Sequence, residues 1–303
     1  MEEKIMDDRE KLEATKAFLF KLLSAGALDQ AIAWLRQQTE NITSDSLGNK
    51  IFMAFSQASR YFKRDLLEVS QDNLREIDKI VPGFRPDTWN RLRAARSYLL
   101  LHVPMEPAER FFQRLDKIFE MADLHEMEAL YGSLPLLPYP EQLSLRAAEG
   151  LRTNITSVFD AIALHNPYPA QYLPEPAWNQ MLIKAVFLQR PLFKITGADD
   201  RANEKLARIM VDFAHERWKA GRPVPPELWR FVGPFMNEQD VGDMEREIAG
   251  DNKLAKEAVL LAFSMSDLPT AQKHLEAHPE VKARIKNGEL NWEDIGKRFF
   301  GES

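Results

Sequence analysis

"HNPYPAQYLPEPAWNQ", residues 165–180, sets four prolines, two tyrosines and a tryptophan between two segments that both carry helical periodicity. Proline fixes φ and removes a backbone donor, so it ends one helix and, in a first turn, begins the next. The same punctuation recurs in "VPGFRPD" (81–87), "HVPMEP" (102–107), "SLPLLPYPEQ" (133–142) and "AGRPVPPE" (220–227), each after a stretch of helical length. Acidic residues follow several of these joints, as they do at helix starts. Asp87 in "RPDTWNRLRAAR" and Asp199 or Asp200 in "ITGADDRANEKLARI" are the N-caps that this pattern predicts. Glycines number only 13, and β-branched residues never form alternating runs bounded by turns. The expected fold is therefore all-α, either an irregular helical-repeat array with HEAT-like packing or a large helical bundle, with no significant sheet. No fixed-period repeat decides between the two.

Three regions follow from the helix and joint pattern: N-terminal helices over 1–85, a central helical core over 86–235 with the proline joints, and short polar helices over 236–303. No Gly/Ser-rich linker separates them, so they are expected to pack as one continuous array. Hydrophobic content of 45% and charged content of 28% are ordinary for a globular chain. The net charge of −6 argues against nucleic acid as a partner, since Arg85, Arg91, Arg93 and Arg96 have Asp87 among them and no aromatic ladder beside them. With no cysteine there is no thiolate nucleophile, disulfide or Cys-based metal site. The acidic start "MEEKIMDDREKLEATK" does not resemble a signal peptide, and the apolar runs fall short of the ~18 residues of a transmembrane span. A cytoplasmic protein without a transmembrane segment is expected.

Three helices surround the proline-rich stretch. In "LSLRAAEGLRTNITSVFDAIALH" (143–165), Ala147, Leu151, Ile155, Val158, Phe159 and Ile162 share an apolar face, and Arg146, Glu149, Thr153, Thr156 and Asp160 share the other. "AWNQMLIKAVFLQ" (177–189) is apolar nearly all round, which predicts an interior helix with Gln180 and Lys184 as its narrow polar strip. In "RANEKLARIMVDFAHERWKAG" (201–221), Asn203 and Arg217 fall among Leu206, Ile209, Met210, Phe213 and Ala214. Asp212, His215 and Glu216 have an appealing D-x-x-H-E spacing, but they lie beside Lys205, Arg208 and Lys219 with no further ligand in reach, so no metal and no cofactor is assigned. Glycine-rich phosphate loops, H-E-x-x-H and G-x-S-x-G are all missing from the chain.

Residues 146–181 and 198–235, with the blocks Asn-Pro-Tyr-Pro, Ala-Trp-Asn-Gln, Ala-His-Glu-Arg-Trp and Pro-Glu-Leu-Trp-Arg and the intervening "KAVF", resemble the EboA family of bacterial proteins over roughly 86–235. The resemblance implies an operon setting beside a UbiA-type prenyltransferase, a TatD-like metallohydrolase, a sugar-phosphate cyclase and an isomerase-like barrel protein. It also implies a part in secondary metabolism and in moving a metabolite precursor toward the periplasm. It supplies no catalytic residues.

The family blocks coincide with the unusual physical demands just described. A loop stiffened by proline loses less entropy when it holds a partner, and Tyr168, Tyr172 and Trp178 would offer stiff amphipathic surface. One reading makes the loop a wall of a pocket or groove, with Arg146, Glu149, Arg152, Asp160, Lys184 and Arg217 as its polar groups. Asn154, His165, Asn166, Asn179, Gln180, Asn203, His215, Trp218 and Trp229 complete the ligand- or partner-binding candidates. In the other reading the same charges lock the helices together in ion pairs. The function expected is a cytosolic accessory or scaffold protein, or a metabolite-binding protein, of an ebo-type pathway. Its partners would be operon-encoded enzymes, a membrane prenyltransferase or the small metabolite, with membrane association only peripheral and through a partner. An enzyme using Asp160, His165 or His215 with Lys184 and Arg217 is the alternative.

Overall fold

Asn, Asp and Ser side chains cap the helices that begin at Gln71, Arg91, Leu124, Glu204, Glu238, Lys253 and Trp292. In the computed structural model, which describes residues 8–302, the chain forms two compact units, Met1–Leu173 and Pro174–Ser303. The division falls inside the proline-rich stretch and within the 86–235 region that the sequence groups together. The first unit contains α1 Asp8–Ser24, α2 Asp29–Thr43, α3 Lys50–Gln57, α4 Gln71–Asp78, α5 Arg91–Leu100, α6 Ala108–Met121, α7 Leu124–Gly132, α8 Ser144–Gly150, α9 Thr156–Ala163 and α10 Tyr168–Tyr172. The second contains α11 Glu175–Phe187, α12 Glu204–Lys219, α13 Trp229–Val232, α14 Glu238–Ala249, α15 Lys253–Phe263, α16 Pro269–Glu276, α17 Pro279–Lys286 and α18 Trp292–Phe300. Among the described residues there is no strand beyond an isolated bridge between Leu66 and Asn90, so the protein is all-α. No helix there is long and apolar enough to cross a membrane.

Each unit is organised around a helix buried on nearly all sides. In the first it is α5, which packs against α1, α2, α3 and α7. Its arginines, which the sequence presents as a basic cluster, are used inside the unit. Arg91 pairs with Asp65 at 2.8 Å, and Arg96 donates to Phe55 O at 3.1 Å and to buried Glu126 at 3.2 Å. Arg93 lies over the Trp89 ring, 4.5 Å from its centroid. In the second unit α15 is central, packing against α13, α14, α16, α17 and α18. Its buried Glu257 is held by Arg284 at 2.6 Å and Arg298 at 2.7 Å. Burial alone would raise the Glu257 carboxyl, but the two guanidinium groups hold it below its ordinary value.

Local details differ from the sequence reading. Asn90, not Asp87, caps α5, and Asp87 is instead bound by the Arg85 side chain. Asn203, not Asp199 or Asp200, caps α12 by accepting from Leu206 N. Residues 143–165 are two helices, because the chain turns after Gly150 and Thr153 Oγ1 accepts the Ile155 amide at 3.1 Å. Ile155 is consequently exposed rather than on the apolar face, whereas Ala147, Leu151, Val158, Phe159 and Ile162 are buried there. α11 is not wholly interior, since Phe187 near its end is 71% exposed.

Candidate functional site

In the first unit the family blocks are built into the fold. His165 adopts the left-handed region at φ 54°, a conformation that polar residues such as His tolerate better than branched ones, and this reverses the chain after α9. Asn166 is buried and bridges the reversal. Its Nδ2 donates to Ala161 O at 3.0 Å and Tyr131 O at 3.4 Å, and its Oδ1 accepts from Tyr168 N at 2.9 Å. Tyr168 is fully buried, and its hydroxyl donates to Pro140 O at 2.6 Å. Burial pushes its phenol far up, so it serves as a neutral donor. Tyr168, expected to offer contact surface, is therefore a core anchor, and Tyr172, tilted against it with ring centroids 5.0 Å apart, is half-buried. Arg146 binds Asp116 on α6 and Glu149 one turn along α8, with its guanidinium 5.0 Å from the Phe119 ring centroid. Arg152 and Asn154 are exposed in the turn after α8, and Asp160 and His165 are half-buried.

The second unit treats its blocks in the same way. Trp178 is fully buried beneath the Arg201 guanidinium, 4.7 Å from its centroid, and so is not a contact surface either. Asn179 and Asn203 exchange two amide hydrogen bonds at 3.1 and 2.9 Å, tying α11 to the start of α12. Gln180 is exposed. Lys184 is half-buried, and partial desolvation lowers its ammonium from the ordinary value. Arg217 turns from the apolar face to donate to Pro223 O at 2.6 Å, closing the end of α12. His215 meets Asp243 at 2.9 Å, and Trp218 donates to Glu247 at 2.7 Å while packing between the Arg246 guanidinium and buried Trp229. Among the described residues no group of three or more His, Asp or Glu has the geometry to hold a metal ion.

Two residues that the sequence reading did not select dominate the electrostatics of the second unit. Glu227, within the Pro-Glu-Leu-Trp-Arg block, is 2% exposed and accepts from Leu192 N at 3.0 Å and Arg230 Nη1 at 3.3 Å. Arg230 is buried and takes Asp199 in a two-pronged bond, 2.7 Å on each arm. Burial pushes the Glu227 carboxyl up to about 7, against the opposing pull of Arg230 and of the Leu192 and Phe193 amides. Gly296 is required opposite it, since a Cβ there would stand 2.2 Å from the Phe193 ring and 2.9 Å from the Glu227 carboxyl carbon.

The first unit also holds cavities that the sequence reading did not anticipate, two of them large. One, of about 370 Å3, lies between the 46–49 turn, α3 and α6, and is lined by Ser46, Leu47, Gly48, Asn49, Phe52, Arg110, Gln113, Arg114 and Lys117. The other, of about 590 Å3, is lined by α1, Thr43 and residues 101–106, with both cations (Arg9, Lys16) and carboxylates (Asp8, Glu13, Glu106) in its walls. Both volumes suit a small organic molecule. The smaller cavity carries cations without lining carboxylates. Its basic residues sit at spacings of four and then three on one face of α6, a signal present in the sequence but outside the family blocks.

Residues 15–233 match the sequence profile of the family described as "Metabolite traffic protein EboA". The chain belongs to the EboA family. No curated protein and no solved structure matches it. The EboA match begins at residue 15 rather than near 86, which corrects the extent drawn from the four sequence blocks and brings α2, α3, α6 and the smaller cavity inside the family region. It ends at residue 233, so α14 to α18 lie beyond it.

Proposed function

We propose that the protein is a non-catalytic accessory of metabolite traffic, which binds a small metabolite in the first unit and presents it to other proteins of its pathway. The observation that carries this reading is the cavity of about 370 Å3 inside the region matched by the EboA family. The arrangement of the block residues supports it. Asn166, Tyr168, Asn179, Asn203, Arg217 and Trp218 have their polar atoms bonded to main-chain carbonyls, to one another or to structural carboxylates. Groups so committed hold a fold better than they move protons. In the fuller form of the proposal, the chain is a cytoplasmic helical scaffold of an ebo-type secondary-metabolite pathway. It works beside operon-encoded enzymes or a membrane prenyltransferase, and reaches the membrane only through such a partner.

Native mass spectrometry of the chain, purified after co-expression with its neighbouring genes, tests the proposal. One small molecule per chain, released on denaturation with its mass unchanged from that in the producing cells, is the expected result. A bare chain, or a molecule that the purified chain converts into another, would overturn it.

A further inference from the structure

The cavity beside α6 has a chemical preference written into its walls. Arg110, Arg114 and Lys117 all line it, and no carboxylate does. Among the described residues neither Arg110 nor Lys117 has an ion-pair partner. Three acids on the same elements are already engaged. Asp45 accepts from the Leu47 and Lys50 amides at 3.0 and 2.7 Å, Glu109 accepts from Gln113 at 3.2 Å, and Asp116 is bound to Arg146.

Arg114 is held as a receptor group would be. Gly48 has φ 72°, and a Cβ there would lie 1.9 Å from Arg114 Nε, so glycine supplies both the turn and the room for the guanidinium. Nη2 reaches Ser46 O at 3.4 Å, while Nη1 is buried without a hydrogen-bond partner. The Gly48 turn and the Ser46 carbonyl thus fix the Arg114 side chain in the wall of the cavity. Phe52 and Leu47, the latter 80% exposed, are the large apolar residues of the same lining.

We infer that this cavity binds a small amphiphilic anion, with a carboxylate or phosphate on Arg110, Arg114 and Lys117 and an apolar group against Phe52 and Leu47. The inference rests on the metabolite-binding reading and specifies its ligand class. The planar guanidinium fork suits the two oxygens of either anion, and the volume admits a head group with a ring or short chain attached.

Isothermal titration with phenyl phosphate, benzyl alcohol and inorganic phosphate tests it. Phenyl phosphate should bind at least about tenfold more tightly than benzyl alcohol, which shares the ring without the charge, and more tightly than inorganic phosphate, which shares the charge without the ring. Binding should weaken as salt is raised. The double change Arg110→Gln and Lys117→Gln alters exposed side chains only, and should weaken phenyl phosphate about tenfold or more with the melting temperature unchanged. Arg114→Lys keeps the charge but loses the fork, and should weaken binding while leaving the turn folded. Equal affinity for the neutral alcohol, unaltered binding by the double variant, or no binding of phenyl phosphate at millimolar concentration would each overturn the inference. A neutral molecule retained in native mass spectrometry alongside those failures would remove the anion preference and leave the metabolite-binding reading standing.

Discussion

Glu227→Gln removes one ionisable group from the interior of the second unit while keeping nearly its shape. In the folded chain the carboxyl sits at about 7, against an ordinary value of 4.5, because burial outweighs Arg230 and two backbone amides. A folded value above the unfolded one means that the favourable contribution is complete below about 4.5 and is lost as pH rises through 7. The gap between 4.5 and 7 corresponds to about 3 kcal/mol in full, of which about 2.5 kcal/mol falls between pH 5 and pH 8. Urea unfolding at pH 5, 6, 7 and 8, followed by tryptophan fluorescence, should therefore show the wild-type curve falling relative to the glutamine variant by about 2–3 kcal/mol over that interval. Amide exchange at Leu192, whose N–H bonds Glu227, gives a local version of the same comparison. Parallel pH curves for the two proteins would refute the reasoning, since they would mean that Glu227 titrates alike in the folded and unfolded chains.

Other perturbations follow from the same geometry. Arg230→Met strands two carboxylates, one of them buried, and should cost about 3–5 kcal/mol near pH 8 and visibly less near pH 5, where Glu227 is protonated, by urea unfolding. Asn166→Ala leaves the Tyr168 amide and the Ala161 carbonyl unpaired in the core and should cost about 2–3 kcal/mol, measured as a lowered melting temperature. Arg152→Ala, on an exposed turn, should change stability by less than about 0.5 kcal/mol in the same assay. Gly48→Ala should cost about 1–2 kcal/mol from the left-handed backbone alone and should also displace Arg114, so titration with phenyl phosphate should show weaker binding.

Helical class was legible because its signals are local: periodic apolar faces, proline at first turns and a shortage of alternating β-branched runs. Cap choice was less so. Asp199 lies near the start of α12 and is a good cap residue, yet a buried arginine 31 positions later claims its carboxylate, and Asn203 takes the cap. The break in 143–165 turns on Gly150, which packs where a Cβ would meet the Tyr131 ring at 2.4 Å, a contact that periodicity cannot reveal. Tyr168 and Trp178 look like surface aromatics in a proline-rich loop, but both are fully buried, Tyr168 with its hydroxyl on Pro140 O in the first unit and Trp178 beneath the Arg201 guanidinium in the second. The basic stripe on α6 was readable as a pattern. Its meaning was not, since the cavity exists only once the 46–49 turn, some sixty residues earlier, folds against it.

Hydrogen–deuterium exchange on the chain with and without a metabolite extract of the producing cells tests the central claim most directly. The account predicts slowed exchange in the 44–52 turn and along 108–121, and loss of that protection in the Arg110→Gln, Lys117→Gln variant. Unchanged exchange in both segments, or protection confined to the second unit, would contradict it.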